Sequence, residues 1–183
     1  MSEYTIGSEA AAAAQLQAGD KLGILEAASG RYKFITGAQV KAVGSYITLT
    51  SSATTLSAAS HAGNVVNQSF NASAWTITLP ASAGTGNKYT VILATSAAIS
   101  GCNITRNNSS ENFSGYVYMM TSASAQVNAY SCTATDNIVK LNGSTTGGLV
   151  GTVFEFTDLA TNLWMVRGYT AGTGTYATPF SHT

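Results

Sequence analysis

The sequence predicts a mainly β protein: an antiparallel β-sandwich or barrel carrying a small N-terminal α+β segment. Three observations predict it. Apolar and polar residues alternate with a period of two in run after run beyond Ser45, which puts one face of each run toward a core. Turn residues separate these runs at short intervals, and no long helical period intervenes. Thr, Val, Ile and Tyr are abundant, and their branched or aromatic side chains fit a pleated surface.

Before the alternation begins, the chain has a different texture. Of the sixteen Asp, Glu, Lys and Arg residues, half lie at or before Lys41: Glu3, Glu9, Asp20, Lys21, Glu26, Arg31, Lys33 and Lys41. The stretch from Ala42 to Asn87 then carries no formal charge apart from the titratable His61. This shift divides the chain into an N-terminal segment, 1–43, and a β-rich domain, 44–183. Within the first segment, Ser8 is an N-cap, Glu9 suits the positive end of a helix, and Ala10 to Ala14 are strong helix formers. Gly19 ends that helix. Leu22–Glu26 and Tyr32–Ile35 read as strands around a turn at Ala28-Ser29-Gly30. Thr36 with Gln39 matches a capping box, which predicts a short helix over Ala38–Val43.

In the second segment, Ile47 and Leu49 alternate with Tyr46 and Thr48. Trp75, Ile77 and Leu79 alternate with Thr76 and Thr78 until Pro80 stops the run. Gly84 to Asn87 forms a turn, and Tyr89, Val91 and Leu93 resume the pattern. Tyr116–Met120, Gln126–Tyr130, Ile138–Leu141, Val153–Asp158 and Leu163–Tyr169 are further strands, with Asn142-Gly143 and Gly147-Gly148 as turns.

Charge excludes whole classes of partner. Charged residues make up 9% of the chain, against about 25% in an ordinary domain, and eight bases balance eight acids. Neither the basic stripe of a nucleic-acid binder nor a polybasic membrane patch is present. No apolar run is long enough for a membrane helix, and no secretory signal is legible. The expected setting is therefore a cytoplasm.

No convergent chemistry is legible, so the expectation is a non-enzymatic protein without cofactor or metal. His61, His182, Cys102 and Cys132 are metal-ligand types, but their spacing matches no paired zinc motif. Cys102 and Cys132 leave one disulfide open. Gly84 to Lys88 lacks the full phosphate-loop pattern and leads into a strand rather than a helix. Glu155 and Asp158 are the nearest carboxylate pair in the C-terminal half. A cross-strand ion pair with Arg167 explains them better than glycoside hydrolysis does. Asp136 and Glu111 read as loop residues. The aromatics Trp75, Tyr89, Tyr116, Tyr118, Tyr130, Phe154, Phe156 and Trp164 serve core or subunit packing, with sugar binding through an exposed ring as the alternative.

Read as a whole, Thr133–Leu149, Phe154–Asp158, Leu163–Gly168 and Gly174–Ser181 resemble segments of small virion proteins of tailed bacteriophages. Ile77–Thr90 and His61–Asn64 resemble the same group. The resemblance implies a head decoration (cement) or head fibre protein, a homotrimer on the capsid exterior, assembled in the bacterial cytoplasm. Gln15–Leu25 and Gly30–Val40 resemble a small attachment module of phage tail and fibre proteins. The implied partners are the major capsid protein and two further copies of the chain, with host surface glycans bound in the tail-fibre or adhesin alternative. In the attachment segment, Leu25, Tyr32 and Phe34 are the candidate apolar contacts to the capsid. Arg31 and Lys33 are the candidate charged ones.

Overall fold

The computed structural model describes residues 21–25, 32–36, 45–70, 73–97, 101–121 and 124–182. The chain divides into two compact units, Met1–Ala42 and Val43–Thr183. In the first, strand β1 (Lys21–Leu25) pairs antiparallel with β2 (Tyr32–Thr36). The helix expected around Ala10–Ala14, the turn at Ala28–Gly30 and the helix expected over Ala38–Val43 lie outside the described residues.

The second unit is a β-sandwich. Its larger sheet has the order β10 (Ser124–Ser131), β9 (Asn112–Thr121), β13 (Leu163–Gly172), β12 (Val153–Ala160), β7 (Lys88–Leu93), β5 (Val65–Gln68) and β3 (Tyr46–Leu49). The smaller has the order β14 (Phe180–Ser181), β11 (Ile138–Leu141), β8 (Cys102–Thr105), β6 (Thr76–Thr78) and β4 (Ala53–Thr55). Neither sheet closes into a barrel among the described residues.

Antiparallel pairing throughout was the expectation; both sheets are mixed. From β3 to β8 the chain changes sheet at every connection. Strands two apart in sequence therefore run the same way and pair parallel: β3 with β5, β5 with β7, β4 with β6, and β6 with β8. Parallel neighbours always need a crossover; here the opposite sheet supplies it, so no long helix is needed. The one helix described in this unit, α1 (Ala58–His61), is a single turn. Ser57 Oγ accepts from the Ser60 amide at 3.3 Å, and His61 Nδ1 accepts from the Ser57 amide at 3.0 Å. His61 thus takes the reciprocal part that Glu or Gln plays in a capping box.

Alternation decides what is buried. Tyr89, Val91 and Leu93 of β7, Phe154 and Phe156 of β12, and Trp164 and Val166 of β13 point inward from the larger sheet. They meet Ile77, Ile104, Val139 and Leu141 from the smaller one. Tyr89 packs edge-on against Trp164 with ring centroids 5.6 Å apart, and Phe113 lies 5.5 Å from Phe156. Each such ring pair adds about 0.5–1.5 kcal/mol beyond the area it buries. Cys102 on β8 is fully buried and Cys132 follows β10; both remain thiols.

At Gly115 the parallel contact of β9 with β13 leaves no room for a side chain. Its φ is +136°, and a Cβ there would lie 1.9 Å from the Val166 carbonyl oxygen. Replacing Gly115 with Ala is expected to cost more than about 2 kcal/mol through strain and displaced pairing. A denaturant titration showing no loss would contradict this.

The crossover from β6 to β7 is held by Asp158, which is only 3% exposed. Its Oδ1 accepts from the amides of Ala83 and Gly84 at 2.9 and 2.8 Å. Its Oδ2 accepts from the Thr85 amide at 3.0 Å and the Thr85 hydroxyl at 2.6 Å. The backbone completes the clamp, since the Gly86 amide donates to the Asp158 carbonyl and the Asp158 amide to that of Asn87. Burial by itself pushes the Asp158 carboxyl upward; the bonds from Thr85, Gly84 and Ala83 outweigh it and hold the carboxyl below its ordinary value.

A depressed folded-state carboxyl stabilises the fold above its unfolded pKa, about 3.9, and that stability is lost as pH falls through the lower folded value. Asp158→Asn should cost about 3 kcal/mol at neutral pH, because the new NH2 group meets two donors from Thr85. It should also flatten the acid limb of stability against pH. Denaturant titrations from pH 2 to 7 check both; equal slopes for the two proteins below pH 4 would contradict the clamp.

Candidate functional site

With one face of the larger sheet spent on the core, its other face carries the exposed side chains. Strand alternation places Ser114, Tyr116, Tyr118 and Met120 of β9 on this outer face, opposite the buried Phe113, Val117 and Met119. Register then aligns them with the neighbouring strands. One row across the sheet reads Thr90, Glu155, Arg167, Tyr116. The adjoining row reads Ile92, Val153, Tyr169, Tyr118.

These two rows form a groove of about 320 Å³, lined among others by Thr90, Glu155, Arg167 and the three tyrosines. Tyr116, Tyr118 and Tyr169 are 52%, 48% and 60% exposed, well above what a tyrosine serving the core would show. The rings of Tyr116 and Tyr118 meet edge-to-face with centroids 5.7 Å apart, so each restricts the other. Beside them Arg167 Nη2 lies 2.7 Å from Glu155 Oε1, and Lys88 Nζ lies 3.7 Å from the same oxygen. The cross-strand ion pair expected from sequence for Glu155 and Arg167 is present; Asp158 belongs to the clamp instead.

The other carboxylates described in this unit are spent on backbone. Glu111 is fully buried and accepts from the amides of Ser82 at 2.7 Å and Asn107 at 2.9 Å. Asp136 accepts from the Thr133 amide at 2.7 Å and closes the turn after β10. Glu155 and Asp158 therefore do not act on a common bond: one is in the ion pair, the other under the Ala83–Thr85 amides. The same amides explain why the Gly84–Lys88 segment is no phosphate loop. The donors a phosphate would use already bind Asp158.

Burial, and next the charge of Asp136, push the Cys132 thiol up to about 12, so it stays protonated and a poor nucleophile at neutral pH. Among the described residues, no group of three or more His, Cys, Asp or Glu is placed to hold a metal ion, and no helix is long and apolar enough to cross a membrane.

Of the candidate capsid contacts, Leu25 pairs with Tyr32, Lys33 with Ile24 and Phe34 with Gly23 across the β1–β2 ladder. Arg31 lies outside the described residues. The reading of the aromatics divides. Trp75, Tyr89, Phe154, Phe156 and Trp164 are core, Tyr130 is partly buried, and Tyr116 and Tyr118 are on the surface. Tyr169 was missed as a partner of Tyr116 and Tyr118. The β9 pair is legible from its own alternation, whereas Tyr169 joins them only through the parallel β9–β13 register.

Both partners of the Glu155–Arg167 pair keep contact with solvent, so screening holds its contribution to about 0.5 kcal/mol. A double-mutant cycle with Glu155→Gln and Arg167→Ala should return a coupling of that size, falling in high salt. A coupling of several kcal/mol would mean that the pair is desolvated. Neither the family models nor the curated proteins searched yield a match to this chain.

Proposed function

We propose that the chain is a non-enzymatic virion structural protein that decorates and stabilises a bacteriophage capsid as a surface homotrimer. The observation that carries this reading is the division into a small unit, Met1–Ala42, which holds all eight early charges together with Leu25, Tyr32 and Phe34, and a larger β unit that is nearly free of exposed carboxylate. The first unit is the anchor on the major capsid protein. The second is a β-sandwich that supplies the surface of the decoration. Its exposed apolar side chains Met120 and Val127, register partners on β9 and the edge strand β10, suit contact with a neighbouring copy.

Three anchors on one trimer combine through high effective concentration, so weak single contacts give firm attachment. A protein that binds only the assembled lattice stabilises that lattice by linkage. The non-enzymatic part of the reading is supported by the engagement of Glu111, Asp136 and Asp158 with backbone amides. A second reading, a tail-fibre or adhesin module for host surface glycans, is favoured by the groove between Tyr116, Tyr118 and Tyr169.

Light scattering on the purified protein should return three times the 18.8 kDa chain mass, and the protein should bind undecorated capsids. Reversing two orienting charges in the full chain, Arg31→Glu with Lys33→Glu, should weaken capsid binding about tenfold at physiological salt, mainly through slower association. Wild-type capsid affinity in that variant would remove the anchor from this segment. A monomer at micromolar concentration would remove the trimer.

A further inference from the structure

We propose that the groove on the outer face of the larger sheet is a binding site for an acidic saccharide. The inference is separate from the capsid reading; it rests on the second, glycan-binding reading and deepens it by naming the class of glycan. Two adjoining rows of side chains offer the two halves of what a sugar needs. Tyr116, Tyr118 and Tyr169 present apolar ring surface to the C–H face of a pyranose, and tyrosine loses little conformational freedom on doing so. Glu155, Arg167 and Thr90 present an acceptor, a fork of donors and a hydroxyl to its edge. A purely apolar ligand would leave the ion pair desolvated, and a purely ionic one would leave three half-exposed rings unused.

Size and order fit the same ligand class. The volume of about 320 Å³ falls at the small end of ligand pockets, about 300–1,000 Å³. The edge-to-face contact of Tyr116 with Tyr118 and the 2.7 Å ion pair of Arg167 with Glu155 hold the lining in place before any ligand arrives.

Charge selects an acidic sugar over a neutral one. Lys88 and Arg167 stand against the single carboxylate of Glu155 on this face. The other carboxylates described in the β unit, Glu111, Asp136 and Asp158, are buried and tied to backbone amides. Arg167 thus lines the groove and Lys88 stands in the row beside it, two cations against one anion, and a carboxylate on the saccharide completes the balance. Arg167 can bind it in a bidentate fashion while Lys88 contributes at the rim.

The test uses the full-length protein and two probes that share acetylated hexosamine but differ in carboxylates, hyaluronan tetrasaccharide and chitotetraose, measured by calorimetry and saturation-transfer NMR. Hyaluronan tetrasaccharide should bind with saturation transfer from tyrosine rings, and at least about fivefold more tightly than chitotetraose, the worth of one partly screened ion pair. Tyr118→Ala and Tyr169→Ala should each weaken it about tenfold, while Tyr46→Ala, on β3 away from the groove, should leave it unchanged. Arg167→Ala should erase the preference for the acidic probe. Glu155→Gln should strengthen binding of that probe, by about threefold, because it frees Arg167.

Failure of the hyaluronan tetrasaccharide to bind, equal affinity for both probes, or full binding in the two tyrosine variants overturns the site. So does a drop in oligomer mass in Tyr169→Ala, which would make this face a subunit contact. Capsid binding by the same variants reports separately on the capsid reading, since no anchor residue is altered.

Discussion

Asp158 takes four hydrogen bonds on one buried carboxylate, and the sandwich depends on where they come from. Ala83, Gly84 and Thr85 belong to the crossover that carries the chain from the smaller sheet to the larger, between β6 and β7. Asp158 itself ends the regular part of β12, just before a bulge and the turn at Asn162, whose φ is +62°. One side chain thus joins the sheet-changing loop to the β12–β13 hairpin. Glu111 extends the join, since it accepts from Ser82 and from Asn107 in the loop between β8 and β9. Four consecutive amides, Ser82 to Thr85, are satisfied by two carboxylates rather than by a ladder or by solvent. A charged acceptor makes the stronger bond, and losing it would leave buried donors without partners.

That arrangement has an electrostatic consequence for the surface. A chain with few charges has placed three carboxylates of its β unit inside, where they serve backbone geometry. What remains outside near the groove is weighted toward Lys88 and Arg167. With so few other charges nearby, the field at this face is set by a handful of groups, and little in residues 42–87 opposes it. The same scarcity leaves hydroxyls, amides and aromatic rings to make most of the outer contacts. Such a surface recognises partners by shape and hydrogen bonding, with orientation added by a few ions.

The mixed topology brings the groove together. Alternating the chain between two sheets makes strands two apart parallel neighbours. Further along, β9 lies parallel to β13 over ten residue pairs, with Gly115 permitting the close approach near its centre. Arg167 thereby faces Tyr116, and Tyr169 faces Tyr118. An antiparallel arrangement of the same strands would have put other partners across from these tyrosines, and the ion pair would have flanked a different row.

By itself the sequence determined the mainly β class, the change of character near residues 41–45, most of the longer strands and the Glu155–Arg167 pairing. These are local properties: side-chain period, turn residues and the short β12–β13 hairpin set them within a few residues. It assigned Tyr116 and Tyr118 to core or subunit packing, with sugar binding as the alternative; the structure places both on the exposed face, with Val117 and Met119 in the core. Short strands such as Ala53–Thr55 and Cys102–Thr105 were not legible, since three or four residues carry too little period to stand out. Only the tertiary structure decided that neighbours in a sheet are often two strands apart in the chain, that Asp158 faces the Ala83–Thr85 amides rather than Arg167, and that Tyr169 completes the groove. Each of these pairs residues far apart in sequence, or of two different sheets. Long-range register depends on the packing of the whole core, which no single stretch of sequence encodes.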